Sequence, residues 1–166
     1  MLGGGDWQYK MCNLLENEAN KPGAKLHDYY VVIPCRYPRN HPLRDYQSIG
    51  TTSEGIFERQ TDWERHYLDL AVKVRRGRIL FWLGCESKTN PRQDGQPYAR
   101  DTYGELGEWR GRLIHNVEHR RRVLIGAEAE FPGLSVIQRN FHDALGTAFP
   151  FYSSMEMVAH QAALAA

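Results

Sequence analysis

Three short runs of aromatic and β-branched residues, separated by segments of helical periodicity, leave this chain few architectures. Tyr29–Ile33, Arg78–Leu83 and Val123–Ala127 are almost continuously apolar, as strands buried on both faces are. Pro34 stops the first run and Gly77 introduces the second. Between and before the runs, apolar residues recur three and four positions apart: Trp7, Met11, Leu14 and Leu15; Trp63, Tyr67, Leu70, Ala71 and Val74; Leu106, Trp109, Leu113 and Ile114. That spacing gathers each set on one face of a helix. Met1-Leu2 reads as the stub of a strand before the first helix, and Leu134–Gln138 as a short last strand. Alternation of this kind predicts an α/β fold built from βαβ units with right-handed crossovers.

The expected architecture is therefore a doubly wound, mostly parallel five-stranded sheet, flavodoxin- or Rossmann-like, with helices on both faces. With 166 residues and 42% hydrophobic content, the chain suits one domain over residues 1–166, burying roughly 70% of its unfolded surface. Thr61-Asp62-Trp63-Glu64 and Thr102-Tyr103-Gly104-Glu105 both have the form of a capping box, predicting helix starts at the two threonines. In the segment 141–166, Phe149, Phe151, Tyr152, Met155, Met157 and Val158 precede an alanine-rich end. Met155–Ala165 reads as a helix that either covers the core or packs on a partner chain.

Charge narrows the partners. With 21 basic against 20 acidic residues, the chain has no general attraction for a nucleic acid polymer or an acidic membrane. No run approaches the ~20 apolar residues of a membrane span, and no signal-peptide layout opens the chain. Three widely spaced cysteines, Cys12, Cys35 and Cys85, form neither a disulfide framework nor a zinc motif, which fits a reducing, cytoplasmic setting. The seven histidines are scattered without metal-ligand spacing, so neither metal nor cofactor is expected.

In a parallel sheet, ligands sit beyond the carboxyl ends of the strands. The candidate loops are Gly3–Asp6, Pro34–Arg36, Gly84–Ser87 and Glu128–Gly133. The most telling neighbouring segment is Tyr98-Ala99-Arg100-Asp101-Thr102-Tyr103-Gly104-Glu105-Leu106-Gly107. Its Glu-Leu-Gly opens a helix after an apolar strand. Together with the early glycine turn, the Gln-x-x-Trp-Glu stretch at Gln60–Glu64, the Ile-Leu-Phe-Trp strand and the later Ile-Gly strand, it resembles the nucleoside 2-deoxyribosyltransferase family over most of residues 2 to 138.

The resemblance implies cleavage or transfer of an N-glycosidic bond in a nucleoside or nucleoside monophosphate, with Glu105 as the nucleophile. It also implies a homo-oligomer whose neighbouring chain completes the pocket, for which the aromatic C-terminal segment is the natural interface. Such chemistry passes through an oxocarbenium-like state that a carboxylate stabilises or traps, while a second acid protonates the departing base. Asp101, Glu86 and Asp6 are the candidate acids. The family's usual aspartate six residues before the nucleophile is replaced by Ala99, and Asp101 stands in for it.

Each remaining candidate has a structural reading beside the functional one. Glu105 and Glu64 are also capping-box glutamates, which stabilise a helix without catalysis. Gly4, in its glycine turn, would present backbone N–H groups to a phosphate or simply turn the chain. Asp6 and Trp7 fall where the family contacts the sugar. Arg36 and Arg39 would pair with a phosphate or lie solvated, as would Arg100, which also suits a plain ion pair with Asp101. Tyr9, Trp82 and Phe131 would stack on a base or pack; Trp82 reads as core, and Phe131, in a loop, is the better stacking candidate. The run His119–Arg122 reads as a complement to the negative end of the preceding helix. The alternative function is a catalytically inactive nucleotide-binding or sensing module of the same fold. A second carboxylate near Glu105 with a raised pKa would favour catalysis, because binding alone has no use for one.

Overall fold

The computed structural model describes residues 7–22, 31–32, 60–86, 95 and 98–164. Helix α1 (Trp7–Ala19) is followed by α2 (Gln60–Lys73), strand β1 (Ile79–Leu83), α3 (Arg100–His115), a 3-10 turn at Val117–Arg121, β2 (Val123–Ala127), α4 (Leu134–Leu145), β3 (Phe151–Tyr152) and α5 (Met155–Leu164). The described strands form one parallel sheet in the order β1-β2-β3. Ile79 pairs with Val123 and Leu83 with Ala127 across the first ladder.

Strand side chains alternate between faces, and two cores result. Ile79, Phe81 and Leu83 of β1 join Val123, Ile125 and Ala127 of β2 against Val72 of α2, Leu106, Trp109 and Leu113 of α3, and Ile137 and Phe141 of α4. On the opposite face Trp82 and Leu124 meet Met11 and Leu15 of α1 and Met155, Val158, Ala159 and Ala162 of α5. Helices thus cover both faces. The C-terminal helix is part of this chain's own second core, so of the two readings of that segment, covering the core is the one observed.

The register places Trp82 opposite Gly126. A Cβ at Gly126 would come within 2.6 Å of Val158 and 2.7 Å of the Trp82 ring. Glycine is required there because the indole lies across β2 under α5. The basic run after α3 closes helix ends as expected: Arg120 donates to the carbonyls of Leu113 and Ile114, at 2.9 and 3.5 Å, and Arg122 donates to the Val74 carbonyl beyond α2.

Several expectations are corrected. Leu134–Gln138 is the start of α4, not a strand. Its apolar residues Leu134, Ile137 and Phe141 continue at helical spacing beyond the short window that read as β, and Gly133, at φ 71°, turns the chain into the helix. The last strand is the two-residue β3, which pairs with β2 through Phe151 and Tyr152. Three strands, not five, are present among the described residues. Val31 and Val32 are in no strand, and the rest of Tyr29–Ile33, with Met1-Leu2, lies outside the described residues.

The capping boxes also fail. Helix α2 already includes Gln60. Helix α3 starts at Arg100, with Ala99 at its N-cap in the left-handed region (φ 57°) and no side-chain cap. The Tyr103 N–H bonds to the Ala99 carbonyl at 3.0 Å, so Thr102 lies inside the first turn and Glu105 one turn further on.

Candidate functional site

At the carboxyl edge of the sheet one peptide unit is held from both sides. Tyr98, just ahead of α3, donates its hydroxyl to the Gly84 carbonyl. The N–H of the same peptide, that of Cys85, donates to Glu128 Oε2 at 2.8 Å. Glu128 is fixed in turn, its own N–H reaching the Leu83 carbonyl at 3.0 Å. A carboxylate that follows β2 directly therefore positions the first residues after β1. Burial, with Cys85, Glu128 and Glu86 close by, pushes the Tyr98 hydroxyl up to about 12, so it stays a donor at physiological pH.

Phe131 is not an exposed stacking residue. It is 4% exposed and lies against Tyr98 and Tyr103, with ring centroids 6.2 and 5.8 Å away. The Tyr103 hydroxyl donates to the Pro132 carbonyl at 2.6 Å, tying the loop after β2 to α3. Phe131 is the apolar floor of this edge.

Glu105 occupies a second flank of α3. At about 100° per residue it stands beside the buried stripe of Leu106, Trp109 and Leu113, on the side shared with Asp101, Glu108 and Arg112. Arg112 bonds Asp69 of α2 and, at 2.7 Å, Glu108, so this flank faces α2. Burial pushes the Glu105 carboxyl up to about 7, helped by the charges of Glu64, Asp101 and Glu108. Two of these neighbours have cations: Arg112 and Arg65 serve Glu108, and Arg100 lies 3.2 Å from Asp101. Among the described residues none pairs with Glu105.

Of the other predicted residues, Trp7 opens α1 and packs against the core cluster containing Trp82. Glu86 is partly buried beside Cys85, close enough for its charge to act on Tyr98. Asp101 is exposed on the first turn of α3. Gly4, Asp6, Arg36 and Arg39 lie outside the described residues. The sequence put Glu128 in a candidate loop and Tyr98 in the segment leading into α3, but gave neither a role of its own. Glu128 was findable, since it is the first residue past the end of a buried parallel strand; Tyr98 carried no signal, because only the folded chain brings it to Gly84.

Among the described residues no group of His, Cys, Asp and Glu is arranged to hold a metal ion, and no described helix is long and apolar enough to cross a membrane. No known protein family, curated protein or solved structure matches the chain.

Proposed function

We propose that this protein cleaves or transfers the N-glycosidic bond of a nucleoside or nucleoside monophosphate, with Glu105 as the carboxylate that meets the anomeric carbon. The observation that carries this reading is Glu105 itself, a partly buried carboxylate with acidic neighbours and no described cation. Such a site is poorly matched to its own resting charge and well matched to a cation that appears during reaction. An oxocarbenium-like sugar is a cation of that kind.

In the reaction, the Glu105 carboxylate attacks the anomeric carbon and the bond to the base breaks, leaving a glycosyl ester on the enzyme. The departing nitrogen takes a proton from a neighbouring acid. We assign that role to Glu64, which is partly buried and first among the charges acting on Glu105; Asp101 is exposed. An acceptor base or water then attacks the ester and restores the free carboxylate. The acceptor decides whether the enzyme is a transferase or a hydrolase.

The rest of the proposal concerns the setting. Helices α1 and α5 on one face and α2, α3 and α4 on the other support a doubly wound five-stranded sheet as the finer architecture. A cytoplasmic homo-oligomer belongs to the same reading. The test is base release from ribo- and deoxyribonucleosides and their monophosphates, with and without an acceptor base. The wild type should release base, and folded Glu105→Ala and Glu105→Gln should not. Binding without turnover would instead favour the nucleotide-binding module.

A further inference from the structure

The edge of the sheet opposite the held Gly84–Cys85 peptide gathers positive charge from two distant parts of the chain. Segment 73–78 leads from α2 into β1, and segment 116–122 leads from α3 into β2. Together they contain seven of the 21 basic residues and one of the 20 acidic ones, Glu118. Parallel pairing sets the two segments side by side: Ile79 lies opposite Val123, and the Ile79 N–H donates to the Arg122 carbonyl at 2.8 Å. The near-balance of charge over the whole chain conceals this concentration, because acids outnumber bases in the remainder of the sequence.

Backbone carbonyls account for only part of the set. Arg78 donates to the Gly77 carbonyl at 2.8 Å, Arg120 to carbonyls at the end of α3 and Arg122 to the Val74 carbonyl. Lys73, Arg75, Arg76 and Arg121 are exposed. The turn of the first segment is tightly fixed. A Cβ at Gly77 would lie 2.0 Å from the Ala71 carbonyl oxygen, and the Gly77 N–H donates to the Val74 carbonyl at 3.1 Å. Burial, with the charge of Arg122 close by, shifts the Arg78 guanidinium down from its ordinary value. Cations held this close repel one another, and an anion laid across them relieves the repulsion.

Six of the seven cations are arginines, whose forked donors match phosphate oxygens two at a time. A single small anion engages two or three such groups, whereas a run of regularly spaced phosphates engages the whole set. Neither segment contains Phe, Tyr or Trp, so they supply no platform on which unpaired bases could stack. An acidic membrane attracts lysine as readily as arginine, and a surface that lies on one carries Trp, Phe or Leu. The apolar residues of these two segments are Val74 and Val117 alone.

We propose that the amino edge of the sheet binds the phosphate backbone of a nucleic acid duplex, with Lys73, Arg75, Arg76 and Arg121 as its outer contacts. The duplex is held by charge and not read for sequence. This surface lies apart from the Gly84–Cys85 edge and does not depend on Glu105 or on the nucleoside reading.

The test is fluorescence anisotropy of labelled 20-base-pair RNA and DNA duplexes and of the matching single strands, titrated with the full chain between 50 and 200 mM KCl. A duplex should bind with a Kd of about micromolar at 50 mM and weaken about a hundredfold by 200 mM, the salt dependence of about four neutralised phosphates. The tighter of the two duplexes identifies its source. Arg75→Glu with Arg121→Glu, both exposed, should weaken binding more than tenfold and lower the salt slope by about two. The milder Arg75→Gln with Arg121→Gln should fall between it and wild type. Lys10→Glu with Arg139→Glu makes the same change in net charge on α1 and α4 and should stay within about threefold of wild type. No duplex binding at 50 mM, a folded Arg75→Glu/Arg121→Glu chain that binds as wild type does, or equal losses in the Lys10→Glu/Arg139→Glu chain overturns the proposal. So does tighter binding of the single strands, a salt slope near one with tripolyphosphate displacing the duplex, or capture by phosphatidylserine vesicles while the duplexes stay free, the last assigning the edge to a membrane.

Discussion

As the proposed nucleophile, Glu105 makes opposite demands on stability and activity. Its carboxyl is raised from the ordinary 4.5 to about 7, so between those values the folded chain holds a proton that the unfolded chain has lost. Folding is therefore penalised increasingly as pH rises through this window, fully above 7 and not at all below 4.5. A dry site would make the penalty roughly 3 kcal/mol; allowing for solvent screening, Glu105→Gln should stabilise the protein by about 1 to 2 kcal/mol at pH 8 and by nothing measurable at pH 4, read from urea unfolding at the two pH values. As a nucleophile the residue must be ionised, so kcat/KM should rise with pH through about 7; a fall across that range would make it a proton donor instead. Gly126→Ala tests a different residue-scale constraint. Because its methyl would meet Val158 and the Trp82 ring, overpacking should cost about 1 to 3 kcal/mol in thermal or denaturant unfolding.

Elements were legible where their apolar residues ran long enough to declare a period. Leu106, Trp109 and Leu113 define α3, and all three are buried; β2 is buried at every position, as its uninterrupted apolar run implies. Leu134–Gln138 misled because five residues cannot separate a strand from the first turn of a helix, and the deciding residue, Phe141, lies just beyond them. The capping boxes misled for a different reason. Tyr98 ties the chain to Gly84 and α3 starts at Arg100, so tertiary anchoring set the boundary ahead of the threonine that local chemistry would have chosen. At the other end of α3, local chemistry prevailed in the form of Arg120. Replacing Arg120 with Ala removes donors to two terminal carbonyls of α3 and should cost about 0.5 to 1.5 kcal/mol. By contrast, Lys10→Ala, which removes an exposed ion pair between α1 and α5, should change stability by less than about 0.5 kcal/mol in the same measurement.

For the whole molecule, the division of core residues between the two faces follows from strand alternation once β1 and β2 are recognised. What could not be read is which helix covers which face, because that depends on strand order and on contacts between distant segments. Helices α1 and α5 pack together from opposite ends of the described chain, a pairing that no local pattern announces. The candidate site divides in the same way: Glu105 was singled out by its motif, whereas the hold on the Gly84–Cys85 peptide joins residues 43 positions apart. The role of α5 is open to direct test, since a helix that only joined subunits would leave a folded monomer behind when removed. Here Val158 and Ala159 are fully buried and lie with Met155 and Ala162 against Trp82 and Leu124. A chain ending at Ser154 should therefore lose cooperative thermal unfolding and bind a hydrophobic dye, because one face of the sheet is left uncovered. A truncated chain that still unfolds cooperatively, with a smaller mass in light scattering, would return the segment to the role of a subunit interface.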